Sequence, residues 1–358
     1  MFDEVLIHIG LPKTGTTSIQ TAMAACSKDL ETSHGVLYPL FPGTASNCGN
    51  HGLPLRWLGR FKRDIPFGDP SNFMDVDGVK KVWQNLLQKE CSKLILSGES
   101  LSRMPLENLL VLKSELQQTM RPHTRIRILL MLRDPSRLYI SWRNELHRQQ
   151  LSLNSIALSI GPDESQQDMR INQTLQRFKK AFPDAAFTVG KFEEWASGGR
   201  LLQAFGKWAA LPIDLPNVRT NEGICWEAGQ LNQRDAIHNL KLPTRFFDGM
   251  KGSRSGAIRG EDERAIEYMQ NEINILCKEA ELEPYQTEIP YQNLHSENLW
   301  PRSFFRELRL RIQPLRRGHR QLIWREILTI QHEKGHHWHS RVRRRVRYEA
   351  WKGVLSSL

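Results

Sequence analysis

Lys13, Thr14, Thr16, Thr17 and Ser18 fall within six residues, with Gly10 just ahead of them and Gly15 among them. One ammonium group, several hydroxyls and two glycines on so short a stretch suit the binding of a phosphate or similar oxyanion. The apolar run Val5 to Ile9 reads as a buried strand that feeds this turn, and Thr16 to Ser18 open a helical pattern. A glycine turn between a strand and a helix N-terminus aims free backbone N–H groups and the helix dipole at a bound phosphate. Hydroxyls at the helix start add further donors. Gly10 and Gly15 have the spacing of the G-x-x-x-x-G phosphate loop. A nucleotide kinase places its lysine at the next position, which here is Thr16. The lysine sits inside the loop at Lys13, which moves the positive charge along a bound phosphate chain.

A second group follows another apolar run. Ile128 to Leu132 reads as a strand, followed by Arg133-Asp134-Pro135, with Ser141 eight residues after the arginine. Proline suits the first turn of a helix. A guanidinium binds phosphate through paired, charge-assisted hydrogen bonds, and Arg137, one turn on, is placed to assist. A third strand pattern, Lys93 to Ser97, runs into Gly98-Glu99. Glu99 is a candidate general base, or else a brace for a neighbouring helix or for Lys13. His51, in Asn50-His-Gly-Leu-Pro-Leu-Arg-Trp57, is the rival base, because imidazole titrates near neutrality. It reads equally as a surface loop histidine. His8, among apolar neighbours on the first strand, reads as a core or near-site histidine.

The stretch Lys13-Thr-Gly-Thr-Thr17 after a first strand resembles the 5′-phosphosulfate loop of the sulfotransferases that use 3′-phosphoadenosine 5′-phosphosulfate (PAPS). Arg133-Asp-Pro with Ser141 resembles the 3′-phosphate site of the same family. The resemblance implies that Lys13, Thr14, Gly15, Thr16, Thr17 and Ser18 bind the 5′ end of the donor. It implies that Arg133 and Ser141 hold the 3′-phosphate, and that Lys13 meets the bridging oxygen as the S–O bond breaks. It puts a base after the third strand, where cytosolic members carry His and several glycan-directed members carry Glu, as Glu99 does here. No metal is implied. Lys251-Gly-Ser-Arg-Ser-Gly256 only faintly resembles the late basic loop that covers PAPS in cytosolic members. The acceptor implied is a hydroxyl on a carbohydrate or glycolipid.

These residues need elements to position them. Strands are predicted near 5–10, 35–40, 93–97, 126–132 and 186–192, with helices near 16–30, 79–91, 105–120, 136–150 and 168–182. Further helices are predicted near 227–240 and 261–281. Alternating strands and helices imply an α/β fold, a mostly parallel sheet in a three-layer α/β/α, P-loop NTPase-like arrangement. In such sheets ligands bind beyond the carboxyl ends of the strands, where all three groups fall. Residues 41–78, rich in Gly, Pro, Asn and Asp, read as an irregular excursion suited to an acceptor cleft.

The chain has 358 residues, 50 Lys and Arg against 39 Asp and Glu, and a net charge of +11. Residues 301–358 hold fifteen Lys and Arg against four Glu, so the whole excess lies there. We therefore expect a sulfotransferase domain at 1–300 and a basic helical C-terminal extension at 301–358, with helical stretches broken at Pro314 and Gly335. Its interleaved aromatic, aliphatic and arginine residues suit an anionic membrane surface, or a solvated extension packed on the body. No nucleic-acid module is recognised. The five cysteines lack C-x-x-C spacing, which argues for reduced thiols. No run of eighteen apolar residues and no leader precede the first strand, so a cytoplasmic, bacterial-type enzyme is expected, peripheral at the inner membrane face if the tail binds lipid.

Two other chemistries compete. An NTP-dependent kinase could use the same loop but needs a metal-holding Asp after an apolar strand; a non-catalytic protein could bind anionic surfaces through the tail. His332-Glu-Lys-Gly-His336 matches the H-E-x-x-H zinc signature. Gly335 weakens the helix it needs, and only His339 and Glu349 remain downstream as third ligands, so zinc chemistry is set aside.

Overall fold

The computed structural model describes residues 1–11, 13–40, 76–141, 171–218, 240, 260–286 and 302–333. Contacts divide the chain into two compact units. One comprises Met1–Leu138, Pro162–Asn221 and Glu267–Thr287; the other comprises Tyr139–Gly161, Glu222–Ile266 and Glu288–Leu358.

The first unit is built on a five-stranded sheet. Its strands are β1 (Phe2–Gly10), β2 (Val36–Leu37), β3 (Lys93–Gly98), β4 (Met120–Leu132) and β5 (Ala186–Lys191), in the spatial order β2-β3-β1-β4-β5. Every pairing is parallel, and helices flank the sheet, so the chain is an α/β protein. β1 is central and its residues from Glu4 to Gly10 are all buried, as strands covered on both faces must be. Leu6 on β1, Ile95 on β3 and Leu129 and Met131 on β4 share one face. They pack with Ile19, Ala22, Met23 and Leu30 of α1 (Thr16–His34) and with Leu202 and Phe205 of the Leu201–Trp208 helix. Val5, Ile7, Ile9, Leu94, Leu96, Ile128 and Leu130 alternate with that set and are fully buried on the other face.

Further helices of eight or more residues, in chain order among the described residues before 300, are α2 (Val76–Leu87), α3 (Leu106–Gln117), α4 (Thr174–Ala181), α5 (the Leu201–Trp208 helix) and α6 (Gly260–Glu279). α3 and α4 pack on each other through buried Leu109, Leu112, Leu116, Leu175 and Phe178. The strands predicted from the apolar runs are present, with altered ends. β2 covers two residues of the predicted 35–40. β4 starts six residues early, because Met120 pairs with Phe2 before the chain bulges through His123 (φ 70°) and rejoins at Arg125 opposite Glu4. α5 was not foreseen. The predicted helix at 168–182 is shorter, with a 3-10 turn at Ile171–Gln173 ahead of α4. The helix predicted at 136–150 is seen at 135–141; the rest of it, and the one at 227–240, lie outside the described residues.

In the second unit the described part of the basic extension forms α7 (Arg302–Ile312) and α8 (Arg317–Glu333), with the break around Pro314. Phe305 stacks on Trp324 with centroids 6.2 Å apart, and Leu308, Ile312, Ile323 and Ile327 are buried with them. Arg309 lies over the Trp324 ring at 5.9 Å. Among the described residues no helix is long and apolar enough to cross a membrane.

Candidate active site

β1 ends at Gly10 beside Met131 of β4, while Ile9 pairs with Gly98 of β3. The parallel register therefore brings the Lys13 turn, Glu99 and Arg133 to the same edge of the sheet. β5 reaches that edge at Lys191, opposite Leu132, and adds a short helical turn, Phe192–Trp195, that sequence reasoning did not single out.

The turn after β1 is tightly determined. A Cβ at Gly10 would lie 2.2 Å from Thr16 Oγ1, so only glycine lets the strand end pass under the helix start. Gly15 caps α1 with φ 77°, a left-handed conformation in which a side chain is strained. A Cβ there would also meet Leu201 Cδ2 at 2.4 Å and Phe192 Cε2 at 2.9 Å. Lys13, the residue proposed to meet the scissile bond, is itself held at φ 68°, a rare conformation for a residue with a side chain. Thr14 is buried and its hydroxyl donates to the Leu11 carbonyl at 2.7 Å, so that side chain braces the turn and leaves its backbone N–H as the group to offer a ligand. Thr16 is buried under Gly10; Thr17 and Ser18 are half-buried in the first turn of α1.

Arg133 follows β4 and comes to this turn directly: its Nη1 donates to the Lys13 carbonyl. The guanidinium lies over the Phe192 ring, 4.9 Å from the centroid. Its Nε is 3.9 Å from Glu193 Oε1, and that Nε is buried with no hydrogen-bond acceptor among the described residues. Burial pushes the Arg133 pKa down, Glu193 being the main charge that opposes this; the group remains a cation. Glu193 accepts from the Asp134 N–H at 3.2 Å and from the Tyr285 hydroxyl at 3.2 Å. Burial, and then the Glu193 carboxylate, push the Tyr285 phenol well above its ordinary range, so it stays a donor. Asp134 Oδ1 accepts from the Ser136 hydroxyl and the Arg137 N–H, which caps the 135–141 helix.

Glu99 begins a 3-10 turn, Glu99–Arg103, and is half-buried. The turn is pinned from α4: Arg177 Nη2 and Thr174 Oγ1 both donate to the Ser102 carbonyl, at 2.7 and 3.2 Å. Beneath the edge, His8 is fully buried, with Nδ1 2.9 Å from Ser97 Oγ. Gln20 of α1 donates to the Ser97 carbonyl at 3.0 Å, which ties the helix after the Lys13 turn to the strand that leads to Glu99. Burial depresses the His8 pKa to about 4, so its ring is neutral near pH 7.

Lys13, Thr14, Gly15, Thr16, Thr17, Ser18, Glu99 and Arg133 thus share one edge of one unit. Ser141 lies on the 135–141 helix but belongs to the second unit. His51, Lys251–Gly256 and His336 lie outside the described residues. Among the described residues no three His, Cys, Asp or Glu side chains cluster as metal ligands would. Cys26, Cys91 and Cys277 are free thiols. Glu193 and Tyr285 were missed because neither carries a local motif. The position just past the end of β5 was the available signal for Glu193.

No protein-family model and no curated protein matches the chain. Among solved structures, a sulfotransferase from Alicyclobacillus acidocaldarius is similar. It has 14% sequence identity and a TM-score of 0.43, covering 79% of this chain and 97% of that one. At that distance no residue role is carried from one chain to the other.

Proposed function

We propose that the chain is a PAPS-dependent sulfotransferase whose acceptor is a hydroxyl of a carbohydrate or glycolipid. The observation that carries this reading is the hydrogen bond from Arg133 to the Lys13 carbonyl. It places a guanidinium against a glycine turn at a helix N-terminus, which suits one nucleotide bearing a phosphate at each end. The residues present fit such a group: two glycine positions closed to side chains frame the turn, and a buried guanidinium N–H lacks an acceptor among the described residues.

In this reading the backbone N–H groups of Thr14 to Ser18 and the α1 dipole hold the 5′-phosphate. Arg133 holds the 3′-phosphate. Lys13 stabilises negative charge on the bridging oxygen, where positioning and electrostatics supply most of the acceleration. Glu99, or His51, takes the proton from the acceptor hydroxyl. The basic extension binds an anionic membrane surface, which would bring a glycolipid acceptor to the enzyme; salt-sensitive binding of the full chain to anionic liposomes tests that part, and binding unchanged by deletion of 301–358 refutes it.

The deciding experiment is thermal shift with 3′,5′-ADP against ATP plus Mg²⁺. A ligand that binds only the folded state raises Tm, and we expect 3′,5′-ADP to give the larger rise. Preference for ATP with Mg²⁺ would replace this reading with a kinase. Response to neither would leave a non-catalytic surface binder.

A further inference from the structure

We infer that Glu193 is the resident counter-ion of Arg133 and competes with an incoming phosphate monoester for the Nε edge of its guanidinium. The inference rests on the donor reading above and assigns to the same site the group that sets its affinity.

Three observations carry it. First, Glu193 neutralises Arg133 without satisfying it. The 3.9 Å separation from Nε is within ion-pair range but too long for a hydrogen bond, and the buried Nε–H has no acceptor among the described residues. Second, Glu193 is held back. The Asp134 N–H and the Tyr285 hydroxyl both donate to its carboxylate. Tyr285 is in turn clamped to α6, its N–H donating to Asn274 Oδ1 at 2.9 Å and its carbonyl accepting from Gln270 Nε2 at 3.2 Å. Third, two other parts of the guanidinium are already engaged, Nη1 by the Lys13 carbonyl and one face by Phe192. A phosphate oxygen at hydrogen-bond distance from Nε would supply the missing acceptor. The Glu193 charge would then repel it while no longer being needed to balance Arg133.

This arrangement makes an unusual prediction about sign. Glu193→Gln keeps the size of the side chain and an oxygen acceptor for Asp134 and Tyr285. It leaves Arg133 uncompensated in the empty protein and removes the repulsion in the complex. The variant should therefore be less stable without ligand yet bind anion more tightly. A residue that merely supports the fold would lose on both counts.

The test is calorimetric titration of the full chain with 3′,5′-ADP, together with Tm in the absence of ligand. Glu193→Gln should show a lower Tm and roughly two- to fivefold tighter binding, the range open to a partly exposed ion pair. In an Arg133→Ala background the same change should tighten binding by less, because the competition for Nε is gone and only the direct repulsion between carboxylate and phosphate is left to relieve. Should Glu193→Gln fail to fold, Tyr285→Phe keeps both charges and frees the carboxylate to close on Nε, and binding should weaken about twofold. Unchanged or weaker binding in folded Glu193→Gln overturns the inference, as do equal tightening without Arg133 and unchanged or tighter binding in Tyr285→Phe. If the wild-type chain does not bind 3′,5′-ADP, the donor reading itself falls and takes this inference with it.

Discussion

The two ends of the sheet treat charge in opposite ways. At the amino end Glu4 is nearly buried and meets Lys93 at 3.1 Å, Arg127 at 3.4 Å and Arg125 at 3.9 Å. The surplus positive charge is used as well. Lys93 donates to the carbonyls of Ala209 and Ala210, Arg127 donates to that of Trp208, and the Arg127 guanidinium lies over the Trp208 ring. These carbonyls close the C-terminus of α5, where cations are favoured. Every strong group there has a partner within the fold. At the carboxyl end Arg133 Nε and His8 Nε2 are buried with no hydrogen-bond partner among the described residues, and Lys13 stands in a left-handed conformation. Buried polar groups are normally satisfied; of the two ends it is the carboxyl one that carries unsatisfied atoms, as do places away from the sheet ends such as Asn172 and Arg320.

Substitutions at the two ends should separate along that line. The largest effect is expected from Lys13→Ala, which should slow sulfuryl transfer from PAPS by about 10³-fold, the scale of losing one group that stabilises transition-state charge. Much of the affinity for 3′,5′-ADP should remain; a parallel loss of both would make Lys13 a binding residue only. Arg133→Ala should weaken 3′,5′-ADP binding by roughly 10- to 100-fold in calorimetry, since charge-assisted phosphate contacts are strong. Unaltered affinity would remove Arg133 from the site.

Glu4→Gln should behave in the opposite manner, lowering unfolding free energy by about 2 kcal/mol in urea titration while leaving 3′,5′-ADP affinity unchanged. Burial alone would raise the Glu4 pKa, but Lys93 and Arg127 outweigh it and hold the carboxyl below its ordinary 4.5. Its contribution is therefore full above that range and fades as pH falls through the lowered value. The smallest effect concerns His8. Unfolded histidine takes up a proton near pH 6.5, while the buried ring resists until about pH 4. Wild-type stability should fall by roughly 1–2 kcal/mol between pH 7 and pH 5 from this group. His8→Gln should flatten that part of the pH curve, and identical slopes in the two proteins would show that the ring does not govern it.

Much of this was readable along the chain because apolar runs and glycine turns are local. Val5 to Ile9 and Ile128 to Leu132 could only be buried strands, and the turn at Gly10 to Gly15 and the Arg133 corner follow from where those strands stop. The early start of β4 was hidden because Arg121, Pro122, His123 and Thr124 bulge out and carry no strand pattern. α5 was hidden by its eight-residue length, just behind the turn at Gly198 and Gly199. Glu193 and Tyr285 are 92 residues apart and meet through tertiary folding alone. The pairing of Gln20 with Ser97, across 77 residues, is of the same kind.

Phe192 touches both the closed space at Gly15 and the face of Arg133. A single aromatic ring is thus the bearing on which both halves of the proposed nucleotide grip rest. Transplanting Gly10 to Ser18 into another parallel-sheet protein would carry over the chemistry of the loop but leave its anvil behind. Any bulk added at residue 15 would also be felt at the opposite end of the ligand.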